Sequence, residues 1–143
     1  MKVGRKKPRL KVFLSHSDRD RPFVSRLARL LEDRGISVWY SRTKIKGAQE
    51  WHDEIGKALA QCNWFVLVLT PSSVASGWTK RELMYALQQK RYRNHIVPLI
   101  RKTCRHRRLS WTLASIQMID FTRAFDDGAR ALLATWGIPY PKG

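Results

Sequence analysis

Trp64-Phe65-Val66-Leu67-Val68-Leu69 is an apolar run that no polar residue interrupts. A strand with one wet face alternates, so a run that is apolar at every position belongs to a strand covered on both faces, as at the centre of a parallel sheet. On its N-terminal side Trp51, Ile55 and Leu59 recur at intervals of four, one face of a helix. On its C-terminal side Thr70-Pro71-Ser72-Ser73 is a breaker, and Leu83, Ala86 and Leu87 make the core stripe of another helix. Farther out, Leu10-Lys11-Val12-Phe13-Leu14 reads as a strand running into the polar loop Ser15 to Asp20. Asp20 and Pro22 then start a helix carrying Phe23, Leu27, Leu30 and Leu31, which Gly35 stops. Ile36 to Tyr40, Ile96 to Ile100 and Ile116 to Phe121 complete the strands, and Asp126 to Trp136 is a final helix. Pro98 has no N–H to give a ladder, so its strand should be irregular or begin its pairing late. Five strands separated mainly by helices predict an α/β, doubly wound parallel sheet with helices on both faces. Ligands in such a sheet sit beyond the carboxyl ends of the strands, which singles out loops 15–20, 41–48, 70–79 and 101–115.

With 143 residues, 43% of them apolar, the chain makes one ordinary domain with a core and is not disordered. No run approaches the ~20 apolar residues of a membrane helix, so no membrane contact is expected. Cys62 and Cys104 lie far apart, with no CxxC pair and no zinc spacing, and neither a disulfide scaffold nor a metal is predicted. The start MKVGRKKPRLKV is basic but lacks an apolar signal segment, which points to a cytoplasmic location. Net charge is +17, and it is unevenly placed: residues 1–11 hold six basic residues and 90–108 hold eight, neither stretch with an acid. The rest of the chain carries only +3.

Neither GxGxxG after the first strand nor GxxxxGK[ST] occurs, so dinucleotide-fold and P-loop chemistry lack their fingerprints. No GxSxG elbow supports a Ser/His/acid triad, and His16, His52, His95 and His106 are scattered. The unusual feature is Trp78-Thr79-Lys80-Arg81-Glu82, since residues four apart project from one helix face. An indole offers a stacking surface, and a carboxylate one turn away can hold ribose hydroxyls or stabilise an oxocarbenium-like centre as a glycosidic bond breaks. Spacing alone favours a plainer reading, in which Trp78 is core and Glu82 a solvated charge.

Context reverses that preference. Val12 to Ser17, Gly35 to Tyr40, Ile45 to Trp51, Phe65 to Ser73, Ser76 through Leu83 and Ile96 to Ile100 occur in an order that resembles the Toll/interleukin-1 receptor (TIR) domain, particularly its bacterial enzymatic members. The likeness covers nearly the whole chain. It implies a flavodoxin-like sheet of order 2-1-3-4-5, and a layout of basic N-terminal tail (1–9), TIR domain (10–138) and C-terminal tail (139–143). Ser76, Trp78 and Glu82 match the S-x-W-x-x-x-E motif whose glutamate, in the enzymatic branch, cleaves the nicotinamide–ribose bond of NAD⁺ to give nicotinamide and ADP-ribose or a cyclic isomer. Glu82 is thus the implied catalytic residue, with Ser76 and Trp78 in the substrate site. NAD⁺ is substrate, and no cofactor is implied.

The resemblance also brings in His16 and Ser17, at the nicotinamide end of the cleft, although loop polarity alone explains them equally well. After the second strand the family pattern has an acid, where this chain has Ser41, and a glycine three residues before the Trp51 position, where Ala48 stands with Gly47 one residue earlier. Ser41 can bond a ribose hydroxyl but brings no charge. Ile45 heads the loop that, in related assemblies, completes a neighbour's pocket, or else it anchors that loop on its own domain. The expected protein is an NAD⁺ glycohydrolase switched on by self-association through TIR–TIR contacts, in antiphage defence or signalling; the alternative is a noncatalytic TIR interaction module. The basic stretch 90–108 would dock a partner protein or nucleic acid.

Overall fold

A computed structural model describes residues 9–40 and 47–141 of the chain. Five strands, β1 (Lys11–Ser15), β2 (Ser37–Trp39), β3 (Trp64–Leu69), β4 (Ile96–Ile100) and β5 (Ile119–Asp120), form one sheet in the order β2-β1-β3-β4-β5, every pairing parallel. The described residues include five α-helices: α1 (Arg21–Asp33), α2 (Gly47–Gln61), the single turn α3 (Pro71–Val74) and α4 (Gly77–Gln88) between strands, and α5 (Phe125–Thr135) after β5.

The strands alternate between two cores. Val12 and Leu14 of β1, Val66 and Val68 of β3, and Val97 and Leu99 of β4 pack with Val24, Leu27, Ala28 and Leu31 of α1 and with Leu132 and Leu133 of α5. Phe13, Phe65, Leu67 and Leu69 point the other way, onto Ile55 and Leu59 of α2 and Leu83 and Ala86 of α4. All six residues of β3 are apolar because each has a helix layer opposite it, and the last five are buried. Gly128 lets α5 approach β5 closely, since a Cβ there would lie 2.6 Å from the Phe121 ring.

Several local readings need adjustment. Asp20 precedes α1 but does not cap it with its side chain, because its carboxylate accepts the Thr70 hydroxyl at 2.7 Å. Gly35, at φ +78°, ends α1 in the left-handed conformation that costs a glycine little. Thr70 to Ser73 is more than a breaker: Thr70 and Ser73 form a capping box that starts α3, so most of the 70–79 loop is helical. The last strand is two residues long rather than the six of 116–121, and Pro98 accounts for it. Phe65 N–H bonds to His95 O and Arg101 N–H to Leu69 O, whereas Ile100 O accepts from Phe121. Odd-numbered residues of this segment therefore face β3 and even-numbered ones face β5, where the missing N–H of Pro98 falls. Pairing with β3 is regular through Pro98, but pairing with β5 begins only at Leu99.

Candidate active site

The chain leaves β1 for α1 on one face of the sheet and leaves β3 for α3 and α4 on the other, as the two cores show. Those connections diverge at the carboxyl ends of β1 and β3, the switch point at which open α/β sheets bind ligands. Strand alternation places Ser15, the last residue of β1, on the same face as Phe13, beneath α4. On α4, Thr79, Glu82, Leu83 and Ala86 are buried, with the 3-1-3 spacing of one helical stripe. Glu82 is 1% exposed, and the Ser15 hydroxyl donates to its Oε1 at 2.7 Å. Asp20 and Thr70 form a second buried bond between the same two connections. A buried carboxylate is costly unless hydrogen bonds compensate it, so Glu82 is held in place by its surroundings and is not a solvated surface charge.

The other sequence-predicted residues divide around this pair. Trp78 is 38% exposed, with the Arg81 guanidinium 5.3 Å above its ring, so burial separates it from Glu82 although both belong to α4. The plain reading had the two the other way round, Trp78 inside and Glu82 outside. Ser76 is the N-cap of α4, its hydroxyl accepting from Thr79 N at 3.2 Å. His16 is buried, which loop polarity does not explain, and its Nδ1 lies 3.1 Å from Leu14 O. A carbonyl can only accept, so Nδ1 is the donor in that bond. Ser17 is half-buried and accepts weakly from Arg19 N, at 3.4 Å, ahead of the 3₁₀ turn Asp18–Asp20. Gly47 opens α2 and Trp51 lies within it, while Ser41 and Ile45 fall outside the described residues.

Ser15 was not singled out from the sequence as a site residue, nor was Thr79, whose buried hydroxyl has no hydrogen-bond partner among the described residues. The available signal was positional: Ser15 continues the Phe13 face of β1, and Glu82 lies three residues after Thr79 and four before Ala86. A groove of about 840 Å³ flanks the edge strand β5, between Leu87, Asn94, Ile116 and Ala131, and includes neither Ser15 nor Glu82. The stretch 90–108 is not one belt. Lys90, Arg91 and Arg93 precede β4 and the other five basic residues follow it, so five strand residues, ~16 Å of chain, separate the two groups. Among the described residues no helix is long and apolar enough to cross a membrane.

A family model described as "TIR domain" matches residues 12–133. A 2' cyclic ADP-D-ribose synthase from Bacteroides thetaiotaomicron is 32% identical over 72 residues, which are 50% of this chain and 25% of that protein. An NAD(+) hydrolase from Staphylococcus aureus is 25% identical over 89 residues, 62% of this chain and 32% of that protein. These alignments thus span only a quarter to a third of the two relatives. Among solved structures, the TIR domain of a Toll-related receptor from Hydra magnipapillata superimposes with a TM-score of 0.70 at 18% identity, over 87% of this chain and 95% of that one. The TIR domains of the activated Roq1 resistosome give 0.68 at 19% identity, over 89% and 99%. The sheet order, the helices on both of its faces and a family match running from β1 into α5 lead to one conclusion: this chain belongs to the TIR domain family.

Proposed function

We propose that this TIR domain cleaves the nicotinamide–ribose bond of NAD⁺, with Glu82 as the catalytic carboxylate. The observation that carries the reading is the buried Ser15–Glu82 pair at the β1/β3 switch point. The names of the bacterial relatives, cyclic ADP-ribose synthases and an NAD⁺ hydrolase, support it. In this mechanism the C–N bond breaks heterolytically, and nicotinamide leaves as a neutral base with the bonding pair. The ribosyl oxocarbenium ion that remains is stabilised by the negative charge of Glu82. Water captures it to give ADP-ribose, or a hydroxyl of the same molecule captures it to give a cyclic isomer, and one proton is released either way. Ser15 fixes one carboxylate oxygen and so aims the other. Half-exposed Trp78 offers a stacking face to the substrate, and His16, Ser17, Ser41, Ile45, Gly47, Trp51 and Ser76 make up the rest of the proposed substrate-binding set. The active species is a homo-oligomer in the cytoplasm, serving defence or signalling.

The test is to incubate concentrated protein with NAD⁺ and resolve nicotinamide and the ADP-ribose species by chromatography. Glu82→Gln should abolish release, since one lost transition-state contact costs ~2.7 to 4 kcal/mol, about 10²- to 10³-fold. Its circular dichroism and melting temperature should stay near wild type. Specific activity should rise with protein concentration, and Ile45→Glu should lower assembly and turnover together. Wild-type turnover in Glu82→Gln would overturn the assignment, and no turnover at any concentration would leave the domain as an interaction module.

A further inference from the structure

On the opposite face of the sheet from Glu82, a cavity of about 340 Å³ opens beside the first turns of α1 and α5, at the carboxyl ends of β4 and β5. Its walls are Phe23, Phe121 and Phe125, and its polar lining is three arginines, Arg26, Arg101 and Arg123. We propose that this cavity binds a small phosphate, as the free ion or as a phosphomonoester.

Three features support an anion here. No carboxylate lines the cavity, and none of the three arginines forms an ion pair among the described residues. Converging cations repel one another, and a bound anion removes that cost. Two of the guanidiniums are also held in place before any ligand arrives. Arg26 lies 3.8 Å from the centre of the Phe125 ring, and Arg101 lies 5.1 Å from that of Phe23 while donating to Phe121 O at 3.3 Å. Guanidinium is planar, permanently charged and matched to two phosphate oxygens at once, and stacking on an aromatic ring reduces the freedom lost on binding.

The acids next to the lining residues in sequence on β5 and α5 have hydrogen-bond or ion-pair partners outside the cavity. Asp120 accepts from the Thr122 hydroxyl and N–H, which together with the charge of Arg123 hold its carboxyl below the ordinary range. Asp126 accepts from the Tyr140 hydroxyl at 2.8 Å, and Asp127 pairs with Arg130 at 3.6 Å. The α5 N-cap is Ala124, which has no side chain to satisfy the first-turn N–H groups. The volume falls at the lower end of small-ligand sites, room for a phosphorylated sugar and not for a dinucleotide.

Calorimetric titration of the full chain with inorganic phosphate and with ribose 5-phosphate, at low ionic strength, tests the proposal. Saturable one-to-one binding is expected. Equal affinities assign the free ion, and tighter binding of ribose 5-phosphate assigns the ester. Arg26→Gln with Arg123→Gln should weaken binding about tenfold or more. Arg26→Lys with Arg123→Lys, which keeps the charge and loses the fork, should fall between. Arg105→Gln with Arg107→Gln, outside the cavity, should change nothing, and neither should Glu82→Gln, so this proposal and the assignment of Glu82 fail separately. Melting curves without ligand check that the variants fold. Absent binding, equal weakening by the outside pair, or saturation by an oligonucleotide alone would overturn the proposal.

Discussion

At the residue scale, a charge buried beneath a helix is held by whatever touches it. With its hydroxyl 2.7 Å from Glu82 Oε1, Ser15 acts through that carboxylate and is a positioning residue. Ser15→Ala should lower kcat about tenfold with KM little changed, the cost of one hydrogen bond to a charged group. In the double variant with Glu82→Gln, the Ser15 effect should vanish, because the two act as a unit. Steady-state kinetics of both single variants and the double variant measure this. A Ser15→Ala enzyme with unchanged kcat would limit the bond to holding the fold.

At the element scale, α4 is fixed at its start by Ser76, and capping and substrate contact make different demands on that side chain. Ser76→Ala should cost ~1 kcal/mol of stability, and Ser76→Asp should restore it, since aspartate caps equally well. Urea midpoints read the cap, and KM reads any contact with substrate. The elements themselves were legible in the sequence, because β3 is apolar at every position and α1 carries its stripe up to Gly35. Lengths and partners were less so. A two-residue β5 follows from the direction in which the Pro98 nitrogen points, which depends on strand register and not on composition. Helical spacing relates Trp78 to Glu82 but does not say which side of α4 meets β1, so the buried member of the pair emerged only from packing. Asp20 was legible as a helix start, yet its carboxylate bonds to a hydroxyl 50 residues away.

At the scale of the whole molecule, charge and edges set how the domain behaves in solution. Burial pushes the Cys62 thiol up to about 11 against the lowering effects of Lys11 and Arg91, and burial likewise raises the Tyr92 phenol, which donates to Leu59 O at 2.5 Å. Unfolding frees both groups to ionise near their ordinary values, so between pH 9 and 11 the unfolded chain holds fewer protons than the folded one. Stability should therefore fall as pH rises through that window. Denaturation midpoints at a series of alkaline pH values should show the decline, and Cys62→Ala should reduce its slope. The stretch 83–119 contains no acid at all, yet its charges lie at both ends of β4, so a single rigid anionic partner would have to reach two separate places to neutralise them. The sheet margins are short as well. Its outer strands, β2 and β5, offer three and two residues. Among the described residues neither presents a row of backbone groups long enough to template another strand, so the margins of this sheet do not invite the edge-to-edge pairing from which fibres grow.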